Sequence, residues 1–133
     1  MGAWGHGSFE NDTALDWLAD FEGEGADTVL VAIEDVANAD VEEDIDVDRA
    51  CVALAATEII AALKTGDEGR LNEEARTALA TYRDDIDVAA LAPVAARAVA
   101  RIAQESELKE LWEETEDFDA WSTDLDALLD RLR

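Results

Sequence analysis

Residues 48–66 read "DRACVALAATEIIAALKTG", and from Ala50 to Leu63 only Thr57 and Glu58 interrupt the apolar character. The run is too short to span a bilayer. A helix that is apolar nearly all round is buried among others, so this segment predicts the central helix of an all-α domain. Lys64 and Gly66 supply a cation and a permissive residue for its C-terminal end.

Working outward, the rest of the chain is helical in period. Upstream, Ala14, Leu15, Trp17, Leu18 and Phe21 recur at helical spacing, with Asn11 or Asp12 as the cap and Asp12 and Asp16 suiting the early turns. "EGEG" at 22–25 stops that helix, and a second is expected from about Asp27 to Ala39, with Val29, Leu30, Ile33, Val36 and Ala37 inward. Downstream, "NEEARTALATYRDD" is amphipathic behind Asn72 as cap. "DVAALAPVAARAVARIAQ" carries Pro93, which marks a first turn or a kink. Ser106 caps "ELKELWEE", and a last helix is expected over roughly Phe118 to Leu132. The expected architecture is one compact all-α domain over residues 1–133: a bundle of six or seven helices around a buried central helix, preceded by a Gly-rich N-terminal loop.

Length and composition agree with one domain holding a real core: 133 residues, of which 49% are hydrophobic. A single cysteine, Cys51, excludes an intrachain disulfide and fits a reducing cytoplasm. No basic-then-apolar leader opens the chain, and His6 stands where myristoylation requires Ser or Thr, so a cytoplasmic protein is expected. The net charge of −24 comes from 34 acids against 10 bases, and both halves of the chain are acidic. Nucleic acid and anionic membrane are therefore disfavoured as partners, since both require a basic footprint. Two lysines in all, Lys64 and Lys109, beside so many carboxylates and small apolar residues point to solvation in concentrated salt.

The opening "GAWGHGSFEND" resembles a phosphate cradle without being one. No Lys-Ser/Thr pair follows it, and Glu10, Asp12 and Asp16 would repel an anion. Packing is the better use of these glycines, letting Trp4 and Phe9 fold back against Trp17. His6 is the only histidine and Cys51 the only cysteine, so no zinc site is expected; a weak cation site of His6 with Glu10 or Asp12 is the minor alternative. "DIDVD" at 44–48 alternates carboxylates as calcium loops do, but Arg49 and Ala55 stand where such a loop needs Gly and Glu. It reads instead as an acidic turn capping the central helix. Glu58 lies inside the apolar helix, and a buried carboxylate must be paired or protonated. Arg97 and Arg101, spaced i, i+4 on an apolar helix, are the expected partners, with a polar group of the opening loop as the other candidate.

"MGAWGHGSFENDTALDWLADF", "AATEIIAAL" and "SELKELWEE" together resemble the bacterial and archaeal domain-of-unknown-function 4259 proteins, over essentially the whole chain. The resemblance marks Trp4, Gly5, Gly7, Phe9, Glu10, Asn11, Asp12, Asp16 and Trp17, then Glu58, then Ser106, Glu107, Leu108 and Trp112. Thr13 stands where that family commonly has aspartate. The resemblance implies no activity, substrate, cofactor or catalytic residue.

Two functions compete. The first is a non-enzymatic acidic module that binds a protein partner, such as an immunity or regulatory partner. The second is a small enzyme or cation-dependent ligand binder using Trp4, His6, Glu10, Asp12, Asp16 and Glu58. No catalytic residue, metal ligand or cofactor is assigned. A mimic of DNA is disfavoured, because the acids are scattered over every segment instead of gathered on one stripe.

Overall fold

The computed structural model describes residues 7–133. Seven α-helices form it, in the order α1 (Asp12–Glu24), α2 (Ala26–Ala37), α3 (Val47–Thr65), α4 (Glu73–Tyr82), α5 (Val88–Gln104), α6 (Glu107–Glu113) and α7 (Phe118–Leu132), with a short 3-10 turn at Arg83–Asp85. No strand occurs among the described residues, so the all-α expectation holds. The Gly-rich opening and Trp4 lie outside the described residues up to residue 6; Phe9, which follows, is buried in the same core as Trp17.

The central helix is α3, 19 residues long and about 28 Å from end to end at ~1.5 Å per residue. Every residue from Ala53 to Ala62 is buried. It packs on α1, α2, α5, α6 and α7, which explains why its sequence shows no solvent face. Many of its buried residues are alanines, and short side chains let neighbouring helices approach closely. Asp46 caps it by accepting from Arg49 N at 2.8 Å, and Gly66 ends it in the left-handed region (φ 78°), donating to Ala62 O.

The other helices start where a short polar side chain accepts a backbone N–H. Asn11 accepts from Ala14, Asn72 from Ala75, and Ser106 from Lys109. Asp87 opens α5 in the same way, accepting from Ala90. Pro93 therefore sits in the second turn of α5, inside the helix. Its ring removes one N–H, so the Ala89 carbonyl loses its usual intrahelical donor.

Gly25 joins α1 directly to α2 at φ 90°, ψ −158°, a backbone state open in practice to glycine alone. A Cβ there would meet the Tyr82 ring at 3.1 Å. Tyr82 closes that corner, its ring tilted against Phe21 (5.5 Å between centroids) and its hydroxyl donating to Glu22 O at 2.8 Å. The fold thus brings the first turn of α1, the middle of α3, the loop before α4 and α7 to one side of the molecule.

A buried carboxylate at an acidic cleft

Glu58 sits in the middle of α3 with 1% of its surface exposed, the only buried charged side chain among the described residues. Three segments distant in sequence reach it. Arg70, in the loop between α3 and α4, donates Nε to both carboxylate oxygens at 3.2 Å. Arg131, near the end of α7, donates Nη1 to Oε2 at 3.2 Å. Ser8, in the turn before α1, donates its hydroxyl to Oε1 at 3.4 Å.

Here the expected pairing needs correcting. Arg97 is exposed, and Arg101 turns away from Glu58 to bind the α2–α3 connection. Its guanidinium donates to the carbonyls of Ala39 (3.4 Å), Asp40 (3.0 Å) and Glu43. The i, i+4 spacing did put both arginines on one helix, but the face of α5 that carries Arg101 looks toward a loop whose carbonyls need donors. The loop-derived partner of Glu58 is found, in Ser8.

The arginines are themselves anchored. Arg131 Nη2 donates to Asp67 O at 3.1 Å, and Arg70 Nη1 lies 3.8 Å from Asp124 Oδ1. Next to them, Lys64 Nζ donates to the Leu132 carbonyl at 2.9 Å. One network therefore ties α3 to the loop after it and to α7. Burial pushes the Glu58 carboxyl above the usual carboxylate range, and Arg70 and Arg131 pull against that without cancelling it.

Glu58 also forms part of the wall of a cleft of about 760 Å³. Its apolar surface comes from Phe9, Leu15 and Leu71; its charged groups are Glu10, Glu58, Arg70, Glu73, Glu74 and Asp124. Glu10 is exposed at the mouth. The turn that holds it closes through Glu10 N donating to Gly7 O at 3.0 Å. A Cβ on Gly7 would lie 2.5 Å from Glu10 Oε1, so the carboxylate is folded back over a residue that has room for it only as glycine.

Of the candidate residues named from the sequence, Glu10 and Glu58 share this cleft. Asp12 and Asp16 are exposed on the first turns of α1 and form no part of its wall, while Trp4 and His6 lie outside the described residues. Arg70, Arg131, Ser8 and Asp124 carried no motif. For the two arginines the one sequence signal was scarcity, since a buried acid in a chain with ten bases has few possible partners, while Ser8 is the opening-loop polar group expected beside Glu58. Among the described residues, no group of three or more His, Cys, Asp or Glu is placed to hold a metal ion. The "DIDVD" turn serves as cap and clamp: Asp46 caps α3, Thr13 donates to Asp48, and Arg49 binds Asp35, Glu43 and the Asp44 carbonyl. Cys51 is buried, and burial pushes its thiol up to about 12, far from the thiolate a nucleophile needs. No helix among the described residues is long and apolar enough to cross a membrane.

Fold and site define an acidic, all-α protein in which the one charged side chain buried among the described residues is bonded to three segments of its own chain beside an open cleft. The chain belongs to the domain of unknown function (DUF4259) family, whose model matches residues 2–124. Ser8, Glu58, Arg70 and Asp124 fall within the matched span, whereas Arg131 lies beyond it. No curated protein and no solved structure matches the chain.

Proposed function

We propose that this protein is a non-enzymatic, cytoplasmic interaction module adapted to concentrated salt, which binds a protein partner of the immunity or regulatory kind. The observation that supports this reading most is the state of Glu58. Both of its oxygens are occupied by guanidinium and hydroxyl donors from three segments of its own chain. A general acid or nucleophile needs an oxygen facing the reactant, and a carboxylate held this way serves the scaffold. The buried thiol of Cys51 offers no alternative nucleophile. Adaptation to salt is supported by the excess of acids over bases and by the small number of lysines. The test is co-purification of the tagged chain from a native lysate at molar KCl. A specific stoichiometric partner is expected, and repeated recovery of the chain alone would count against the proposal.

The second reading, a cation-dependent ligand binder, is favoured by one observation: Glu10 and Glu58 line the same cleft. A thermal-shift screen with divalent cations and small metabolites tests it. A saturable shift that disappears in Glu10→Gln would move the assignment to this reading.

A further inference from the structure

The cleft beside Glu58 combines apolar and acidic surface. Its walls are apolar where Phe9, Leu15 and Leu71 line it, and its charged lining is five carboxylates against the one guanidinium of Arg70. Arg70 is engaged by Glu58 and Asp124, and Glu58 by Arg131 as well, so these charges answer one another and the acids that face an incoming group are Glu10, Glu73 and Glu74. Glu10 is held at the mouth by the Gly7 turn, and Glu73 and Glu74 project from the first turn of α4 on the same cleft.

From this complementarity we infer that the cleft is the docking slot for a basic segment of the partner protein, with an arginine side chain entering it. The inference rests on the interaction reading above. An arginine carries a methylene stem that covers apolar surface and a planar head that forks onto carboxylates. The stem fits against Leu15, Phe9 and Leu71, and the head meets Glu10 and the α4 acids. An acidic partner, or a second copy of this chain, would bring like charge to the rim. Apolar burial survives concentrated salt, and a carboxylate–guanidinium pair closed off from solvent by the bound segment is screened much less than the long-range attraction.

A short capped peptide of alternating arginine and alanine tests the slot, titrated into the full chain at about 1 M KCl, where the Debye length is roughly 3 Å. The same peptide with citrulline for arginine keeps the shape and removes the charge. Expected is saturable binding with amide NMR shifts at Glu10, Leu15, Leu71 and Glu73, weakened about tenfold for the citrulline peptide. Glu10→Gln should weaken it similarly. So should Gly7→Ala, because the new Cβ displaces the flexible end of Glu10 without removing its charge. Absence of saturation, equal binding of the citrulline peptide, or binding indifferent to both variants overturns the inference. Spermidine binding the same residues as tightly as the peptide overturns it in favour of a small cation. Co-purification separates the slot from the reading beneath it. A partner recovered equally by the wild-type and Glu10→Gln chains overturns the slot alone, and recovery by neither overturns the interaction reading itself.

Discussion

Arg131 Nη1 lies 3.2 Å from Glu58 Oε2, across 73 residues of sequence, and joins the last helix to the middle of the central one. The Arg131 side chain is 17% exposed and that of Arg70 33%, so the two arginines answer the same carboxylate from unequal depths. Removing the carboxylate should therefore leave one guanidinium largely buried and the other partly hydrated. Glu58→Ala is expected to destabilise by about 3 kcal/mol, the low end of the ~3–5 kcal/mol seen when one partner of a buried pair is lost. In double-mutant cycles, Glu58 should couple more strongly to Arg131 than to Arg70. Equal coupling would show that depth does not rank the two arginines, and a Glu58→Ala chain as stable as wild type in urea would show that the network contributes little.

The pH dependence has a definite sign. Burial raises the Glu58 pKa above its unfolded value of 4.5, so between that value and the folded one the native state holds more proton than the unfolded chain. Stability contributed by this group is thus fully present below the unfolded pKa and declines as pH rises through the folded pKa. Glu58→Gln cannot titrate. The stability of wild type relative to Glu58→Gln should fall as pH rises above about 4.5 and level off once the folded carboxyl has ionised. A difference that grows with pH in this window would mean that the arginines outweigh burial.

Arg101→Ala should loosen the α2–α3 connection while leaving the bundle folded. Its guanidinium satisfies the carbonyls of Ala39, Asp40 and Glu43 together, in a segment otherwise rich in exposed acids. Loss of charge-assisted hydrogen bonds of this kind costs roughly 1.5–3 kcal/mol each when fully formed, and exposure here brings the total down to about 2 kcal/mol. Hydrogen exchange should accelerate at residues 38–44 and stay unchanged in α3. Uniform acceleration everywhere would place Arg101 in the global core instead.

How much of this was legible in the sequence divides along a physical line. Local signals worked: Asn11, Asn72 and Ser106 each cap the helix that follows them, because a short polar side chain next to an apolar period has one local use. The burial of Glu58 followed from the apolar run around it. Its partners did not, because periodicity places a residue on a face and says nothing about which element covers that face. Arg101 was drawn to loop carbonyls, while Arg70 and Arg131 came from a short loop and the far end of the chain. Pro93, expected at a first turn or a kink, lies in the second turn of α5, because that helix starts at the Asp87 cap six residues earlier. The cleft was invisible for the same reason as the pairing, since Glu10 and Leu71 meet only through tertiary packing.

Two glycines in unusual backbone states should respond differently to alanine. At Gly25 (φ 90°) the substitution combines a conformation rare for L-residues with a Cβ 3.1 Å from the Tyr82 ring. A cost on the order of 2 kcal/mol or more is expected. At Gly66 (φ 78°) the Cβ meets open space, so only the left-handed penalty of roughly 1–2 kcal/mol applies. The discriminating measurement is Tyr82→Ala, which should recover part of the Gly25→Ala loss and none of the Gly66→Ala loss. Recovery at neither site would show that the Tyr82 contact adds nothing to the backbone cost.

Salt should govern the stability of the whole domain. Glu58 is the one acid buried among the described residues, so nearly all of the others share the surface of a small body. Among the described residues, the ion pairs of Arg49, Arg70, Arg83, Lys109, Arg131 and Arg133 reach only a minority of the carboxylates. At about 0.01 M salt the Debye length is roughly 30 Å, comparable with the domain, and repulsion sums across it. At about 1 M it falls to roughly 3 Å, and only near neighbours still repel. Unfolding spreads the same charges apart, so low salt favours the unfolded chain. The melting temperature should climb steeply with KCl up to molar concentration, and partial acid titration at low salt should produce a rise of the same sign. Glu58 and Arg131 are largely shielded from solvent, so most of the Glu58→Ala penalty should persist over the same range, with only the share of the more exposed Arg70 reduced. A melting temperature flat from low to molar KCl would remove the case for adaptation to salt. A Glu58→Ala penalty that vanishes at high salt would mean that its arginines are solvated in solution.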